Sequence, residues 1–118
     1  MLHPDALIEA RTSLDDEAAA RRLAQELVAA RLAACVHVCA VDSIYRWEGA
    51  VQQAREWQLV CTTTVAGYEA LETAIRVAHS YDLPAIHAVP VVRAHAPYAA
   101  WVVASTSPDS GATPASLS

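Results

Sequence analysis

The sequence predicts an α+β domain of the ferredoxin-like β-α-β-β-α-β type, with a long hairpin between its second and third strands and a short C-terminal helix. Three observations predict it. Two stretches of helical period, near 15–33 and 68–79, alternate with extended stretches. Two long runs rich in β-branched and aromatic residues, Val36–Trp47 and Ala50–Thr63, flank a turn pair at Glu48-Gly49. A chain of 118 residues is the size of a single domain, and 54% hydrophobic residues supply ample core.

The first element, Asp5–Arg11, alternates Ala6, Ile8 and Ala10 with Leu7, Glu9 and Arg11, the period of a half-buried strand. Ser13 is then a good N-cap, and Asp15, Asp16 and Glu17 favour the positive end of a helix. Ala20, Leu23, Ala24, Leu27 and Val28 follow at helical spacing, which predicts an amphipathic helix from about Asp15 to Ala33. The hairpin comes next, and after it Tyr68–His79 repeats the pattern with Leu71, Ala74, Ile75 and Ala78 on one stripe. Asp82-Leu83-Pro84 ends that helix, because proline disfavours the helical conformation in the residue before it. Ala85–Val92 reads as a strand in which Pro90 requires an edge or a bulge. Pro97–Ala104 reads as a short helix that stacks Tyr98 on Trp101 at i, i+3. The domain thus spans 1–104, and the remainder, 105–118, is a Ser/Thr/Pro-rich stretch without periodicity, expected to be flexible.

Composition narrows the function classes. The formal charge is −5 and all eight cationic side chains are Arg, a balance opposed to a phosphate-tracking nucleic-acid surface. No run approaches the roughly 18 apolar residues of a membrane span, and the acidic start lacks the features of a signal peptide. A cytoplasmic protein with no membrane or nucleic-acid partner is the expectation. Three Cys without C-x-x-C spacing argue for reduced thiols rather than a disulfide framework. The chain has no Gly-rich phosphate loop, no G-x-S-x-G and no H-E-x-x-H, and it is not expected to be an enzyme.

The second strand carries Val36, Val38, Ala40 and Ile44 on one face and Val41, Tyr45 and Trp47 on the other. In a two-layer domain, a strand that is apolar on both faces implies that the open face packs on something else. The simplest partner is another copy of the chain, so a homo-oligomer is expected.

At AACVHV, SIYRWEG, HSYDLPAI and PYAAW the chain resembles the CutA family, the divalent-cation tolerance proteins, over about Thr12 to Trp101. The most specific part is Ser43–Gly49, followed by His79-Ser80-Tyr81-Asp82-Leu83-Pro84. The resemblance implies a ferredoxin-like subunit in a homotrimer, a role in tolerance of metal ions, and binding of Cu(II) or another divalent cation. It also places the motif His79 near an intersubunit cleft. The chain departs from the family pattern at several points. Cys39-Ala40-Val41 stands where members commonly have Pro-Gly, Thr62 where a Lys is typical, and Ser80 where a Pro follows the motif His. Of the copper ligands proposed for some members, a Cys falls on Thr12 and a second His on Ala78, so only His79 remains.

Cys35, His37 and Cys39 are spaced by two and share one face of a regular strand. Neighbours in this set lie about 6–7 Å apart at Cα, within chelating reach, whereas Cys35 and Cys39 at about 13 Å are not. At most two of the three can share an ion, and the plain alternative is buried thiols beside a hydrogen-bonded His. Cys61 joins that face only if the hairpin loop has three residues. With a two-residue loop it lies across from Val36 on the other face. Thiolate and imidazole suit Cu(I) or Zn more than Mg or Ca. The candidate metal residues are therefore His79, Cys35 and His37, with His79 otherwise a helix C-cap. Tyr45, Trp47, Tyr81 and Trp101, with Glu48 and Asp82 as acids, are candidates to line the cleft; the plain alternative is oligomer packing. Two further readings remain open: a small-molecule sensor like the PII-like signalling trimers, and a structural trimer without a ligand.

Overall fold

Within residues 2–108, which the computed structural model describes, the order is β1 (Leu7–Leu14), α1 (Glu17–Ala29), β2 (Cys35–Trp47), β3 (Ala50–Thr64), α2 (Tyr68–Ala78), β4 (His87–Pro90) and α3 (Ala96–Thr106). A single 3-10 turn, Val65–Gly67, leads into α2. The four strands form one antiparallel sheet ordered β2-β3-β1-β4, the ferredoxin-like arrangement. Residues 109–118 of the predicted tail lie outside the described residues; Ser105 and Thr106 belong to α3.

The first strand runs from Leu7 to Leu14 instead of Asp5 to Arg11. Its alternation continues through Thr12 and Leu14, which pair with Leu59 and Trp57. Ser13 is therefore a strand residue and not the helix cap. Asp16 caps α1 instead: its backbone is extended and its Oδ2 accepts from the Ala19 N–H at 2.8 Å.

Helix α1 stops at Ala29, four residues short of the expected end. Arg31 adopts the left-handed conformation (φ 62°), its N–H bonds to Val28 O, and the Leu32 N–H bonds to Leu27 O. That is a Schellman termination with arginine where glycine is usual. The Arg31 guanidinium donates to the carbonyls of Ala104 and Ser107, which ties this corner to the end of α3.

Helices α1 and α2 cover one face of the sheet. Leu23, Leu27, Leu71 and Ile75 meet Ala10, Leu14, Leu59 and Cys61 there, all buried. Each fully buried Leu or Ile contributes about 1.5–3 kcal/mol of hydrophobic stabilisation. On the opposite face α3 covers one end, where Val102 packs against Leu7 and Ala34. Pro97 sits in its first turn and Tyr98 stacks on Trp101 at 5.7 Å, as the spacing predicts.

The hairpin pairs Trp47 with Ala50 across a two-residue loop. Glu48 (φ 50°) and Gly49 (φ 79°) are both left-handed, the requirement of a type I′ turn that matches the strand twist. The register puts Cys61 opposite Val36, on the helix-covered face and away from Cys35, His37 and Cys39. The two strands outrun the helical layer, so Ile44, Tyr45, Trp47 and Val51 are exposed around the tip. Strand β4 is shorter than the predicted 85–92 and forms the sheet edge, with Pro90 opposite Ile8. Among the described residues no helix is long and apolar enough to cross a membrane.

Candidate functional site

Two places on the sheet face left open by α1 and α2 carry the candidate side chains. The first is on β2. Cys35 Sγ and His37 Nε2 stand 3.8 Å apart, with His37 exposed. Successive same-face positions on a strand bring them together. Bonds of about 2.3 Å to sulfur and 2.0–2.1 Å to nitrogen would subtend an angle of about 120° at a shared zinc-like ion. The pair therefore fits two positions of a thiolate–imidazole shell. Cys39 is exposed farther along the same face. Cys61 is sealed in the core, where burial and then the nearby Cys35 push its thiol up to about 12, so it stays protonated and is no ligand.

His79 does not join them. It is the C-cap of α2, one residue after the helix ends, and its ring reaches across to β1. Its Nε2–H donates to the Ser13 carbonyl at 2.7 Å, and Nδ1 accepts the Tyr81 N–H at 3.2 Å. Both ring nitrogens are occupied by protein, so ligating an ion would break one of these bonds. The ring is a strut rather than the simple helix-end donor its position suggests. Thr12, at the position of the family's proposed Cys ligand, points into the helix-covered core, and Ala78 is exposed. Among the described residues no group of three or more His, Cys, Asp or Glu side chains could hold a metal ion.

The second place is a groove of about 610 Å³ between the outer half of the hairpin and the segment after α2. Tyr45, Trp47, Tyr81 and Leu83 give it apolar walls, with Ser13 and Ser43 adding hydroxyls. Asp82 and Arg46 also border it. Glu56 of β3 is buried in it, at 6% exposure, and Tyr81 Oη donates to its Oε2 at 2.6 Å. Burial, followed by the hydrogen bond to Glu56, raises the Tyr81 phenol well above its ordinary range, which keeps it a donor. His79 stacks beside Tyr81 at 4.6 Å and holds its backbone.

Of the six residues expected to line a cleft, the structure brings Tyr45, Trp47, Tyr81 and Asp82 together here. Glu48 sits in the hairpin turn and is not part of the lining. Trp101 is elsewhere, packed with Val102 against Leu7 and Ala34, because α3 docks at the other end of the sheet. Sequence reasoning missed Glu56. The two-residue turn places it opposite Val41 on the open face, but its partner Tyr81 comes from a distant loop that no local pattern announces.

Comparison with known proteins agrees with this architecture. A family model described as CutA1 divalent ion tolerance protein matches residues 8–105. The Divalent-cation tolerance protein CutA of Thermus thermophilus is 35% identical over 95 residues, covering 80% of this chain and 92% of that protein. Its namesake in Citrobacter koseri is 35% identical over 103 residues, 86% of this chain and 89% of the relative. Among solved structures, CutA from Synechococcus elongatus superposes with a TM-score of 0.83 at 33% identity, covering 90% of this chain and 95% of its own. CutA1 from Oryza sativa gives 0.84 at 30% identity, over 88% and 96%. The chain belongs to the CutA1 family of divalent ion tolerance proteins.

Proposed function

We propose that this protein acts in tolerance of divalent metal ions as a homotrimer, in the cytoplasm, and binds copper or a similar cation weakly through Cys35 and His37. The observation that carries the metal reading is the 3.8 Å approach of Cys35 Sγ to His37 Nε2 on an exposed sheet face. Two donors form half of a tetrahedral shell, which accounts for weak binding and leaves positions for water or a second copy. A soft thiolate with an imidazole favours Cu(I), Cu(II) or Zn(II) over Mg(II) or Ca(II). Self-association is supported by exposed Ile44 and Val51 at the hairpin tip, outside the groove, and by the free edge of β2. The three unpaired thiols suit a reducing compartment. The test is light scattering for the mass in solution, with titration of the reduced, metal-free protein by Cu(I) and Zn(II) against a chromophoric chelator. A trimer whose metal uptake disappears in Cys35→Ser/His37→Ala is expected. A monomer, or uptake unchanged in the double variant, would defeat the reading.

A further inference from the structure

Glu56 is the one buried acid among the described residues, and it lacks the partner that a buried carboxylate needs. The ion pairs there join Arg11 to Glu9, Arg21 to Glu17, Arg55 to Asp42 and Arg76 to Glu72, and none includes Glu56. Tyr81 satisfies Oε2 with a neutral hydrogen bond. Oε1 takes no hydrogen bond among the described residues, and Glu56 lines the groove. Taking a carboxylate out of water costs several kcal/mol unless a cation or further hydrogen bonds offset it. A cation arriving from solution would supply that offset.

We propose that the groove binds a small organic monocation, a primary ammonium or guanidinium group on a short apolar stem, with its nitrogen against Glu56 Oε1. The stem would lie along Tyr45, Trp47 and Leu83, where an aromatic face also attracts the cationic head. The charge count sets the valence: Asp82 and Arg46 border the same groove with opposite signs, which leaves the single negative charge of Glu56 to neutralise. A polyamine would bring more charge than the groove offsets. A bare metal ion is disfavoured, because hard cations take six or more oxygens and Glu56 and Asp82 are the only carboxylates in the lining. The volume is in the range of small-molecule sites. His79 has the part of a positioning residue: by holding the Tyr81 backbone it keeps the phenol on Oε2, which leaves Oε1 for the ligand. This site shares no residue with the Cys35–His37 pair.

The test is calorimetry on the full chain, reduced and metal-free, with phenethylammonium and its neutral counterpart 2-phenylethanol as probes. Saturable binding of the amine is expected with a Kd at or below about 1 mM. The alcohol, and the amine on Glu56→Gln, should bind roughly tenfold more weakly or worse, the loss expected when a hydrogen bond to a charged group goes. Glu48→Gln, in the turn outside the groove, should leave binding intact. If Glu56→Gln does not fold, Leu83→Ala on the exposed wall outside the hairpin carries the test, and it should weaken the amine several-fold. Absence of saturable binding, equal affinity for amine and alcohol, or full affinity in both groove variants would overturn the proposal.

Discussion

Thr12→Val should make this protein more stable. Thr12 is 2% exposed, stands beside Leu59 in the register of β1 with β3, and its Oγ1 has no hydrogen-bond partner among the described residues. A buried hydroxyl without a partner costs about 1–3 kcal/mol relative to water. Valine keeps the branched shape, suits a strand and removes the orphan oxygen. The expected gain is about 1–2 kcal/mol, or roughly 3–8 °C in Tm. Urea and thermal unfolding of both proteins at one fixed chain concentration measure it, since self-association would otherwise shift the midpoint. An unchanged or lowered midpoint would refute the reasoning and show that the hydroxyl contributes more than it costs.

The same register predicts that Thr12→Cys leaves copper uptake unchanged in a chelator competition, because residue 12 faces the helices while Cys35 and His37 occupy the opposite face. Cys61 should resist iodoacetamide at pH 8 in the native protein and react once urea unfolds it, as mass spectrometry would count. Its raised native pKa also sets a sign. The stabilising contribution is complete below the unfolded value of 9.0 and is lost as pH climbs toward about 12, so alkaline urea midpoints should fall there and fall less in Cys61→Ala. Leu71→Ala, at a position with no exposure between α2 and the sheet, should cost about 2–5 kcal/mol by denaturant unfolding. Gly49→Ala forces a Cβ into the left-handed half of the type I′ turn (φ 79°) and should cost about 1–2 kcal/mol in the same assay.

The strands and helices were readable because each repeats its apolar residues at its own period over many positions. Their ends were less so, and the reasons are local competition. Ser13 and Asp16 are both good caps, and the choice between them was made by Leu14 pairing with Trp57, a contact distant in sequence. Arg31 ends α1 in a conformation usually marked by glycine, so nothing in the composition announced the stop. The hairpin register was open in the sequence to a two- or three-residue loop, and the left-handed Glu48 closes it at two. At the candidate sites, the Cys35–His37 approach follows from strand periodicity alone and was visible. The Glu56–Tyr81 bond and the displacement of Trp101 depend on how loops and α3 dock, which no local pattern encodes.

The place of β1 inside the sheet has a consequence for how the chain reaches its native state. Although made first, β1 pairs Leu14 with Trp57, Leu7 with Thr64 and Ile8 with Pro90, all far downstream. A chain emerging from the ribosome can close the β2–β3 hairpin across its local turn, yet the central β1–β3 pair must wait until Thr64 has left the tunnel, and the outer edge of β1 stays open until β4 follows. Until β4 arrives, the outer edge of β1 exposes unpaired backbone beside apolar side chains. Such non-local pairing slows folding and lengthens the time spent in an association-prone form. The interval before residues 87–90 arrive is therefore when this chain is most open to edge-to-edge association.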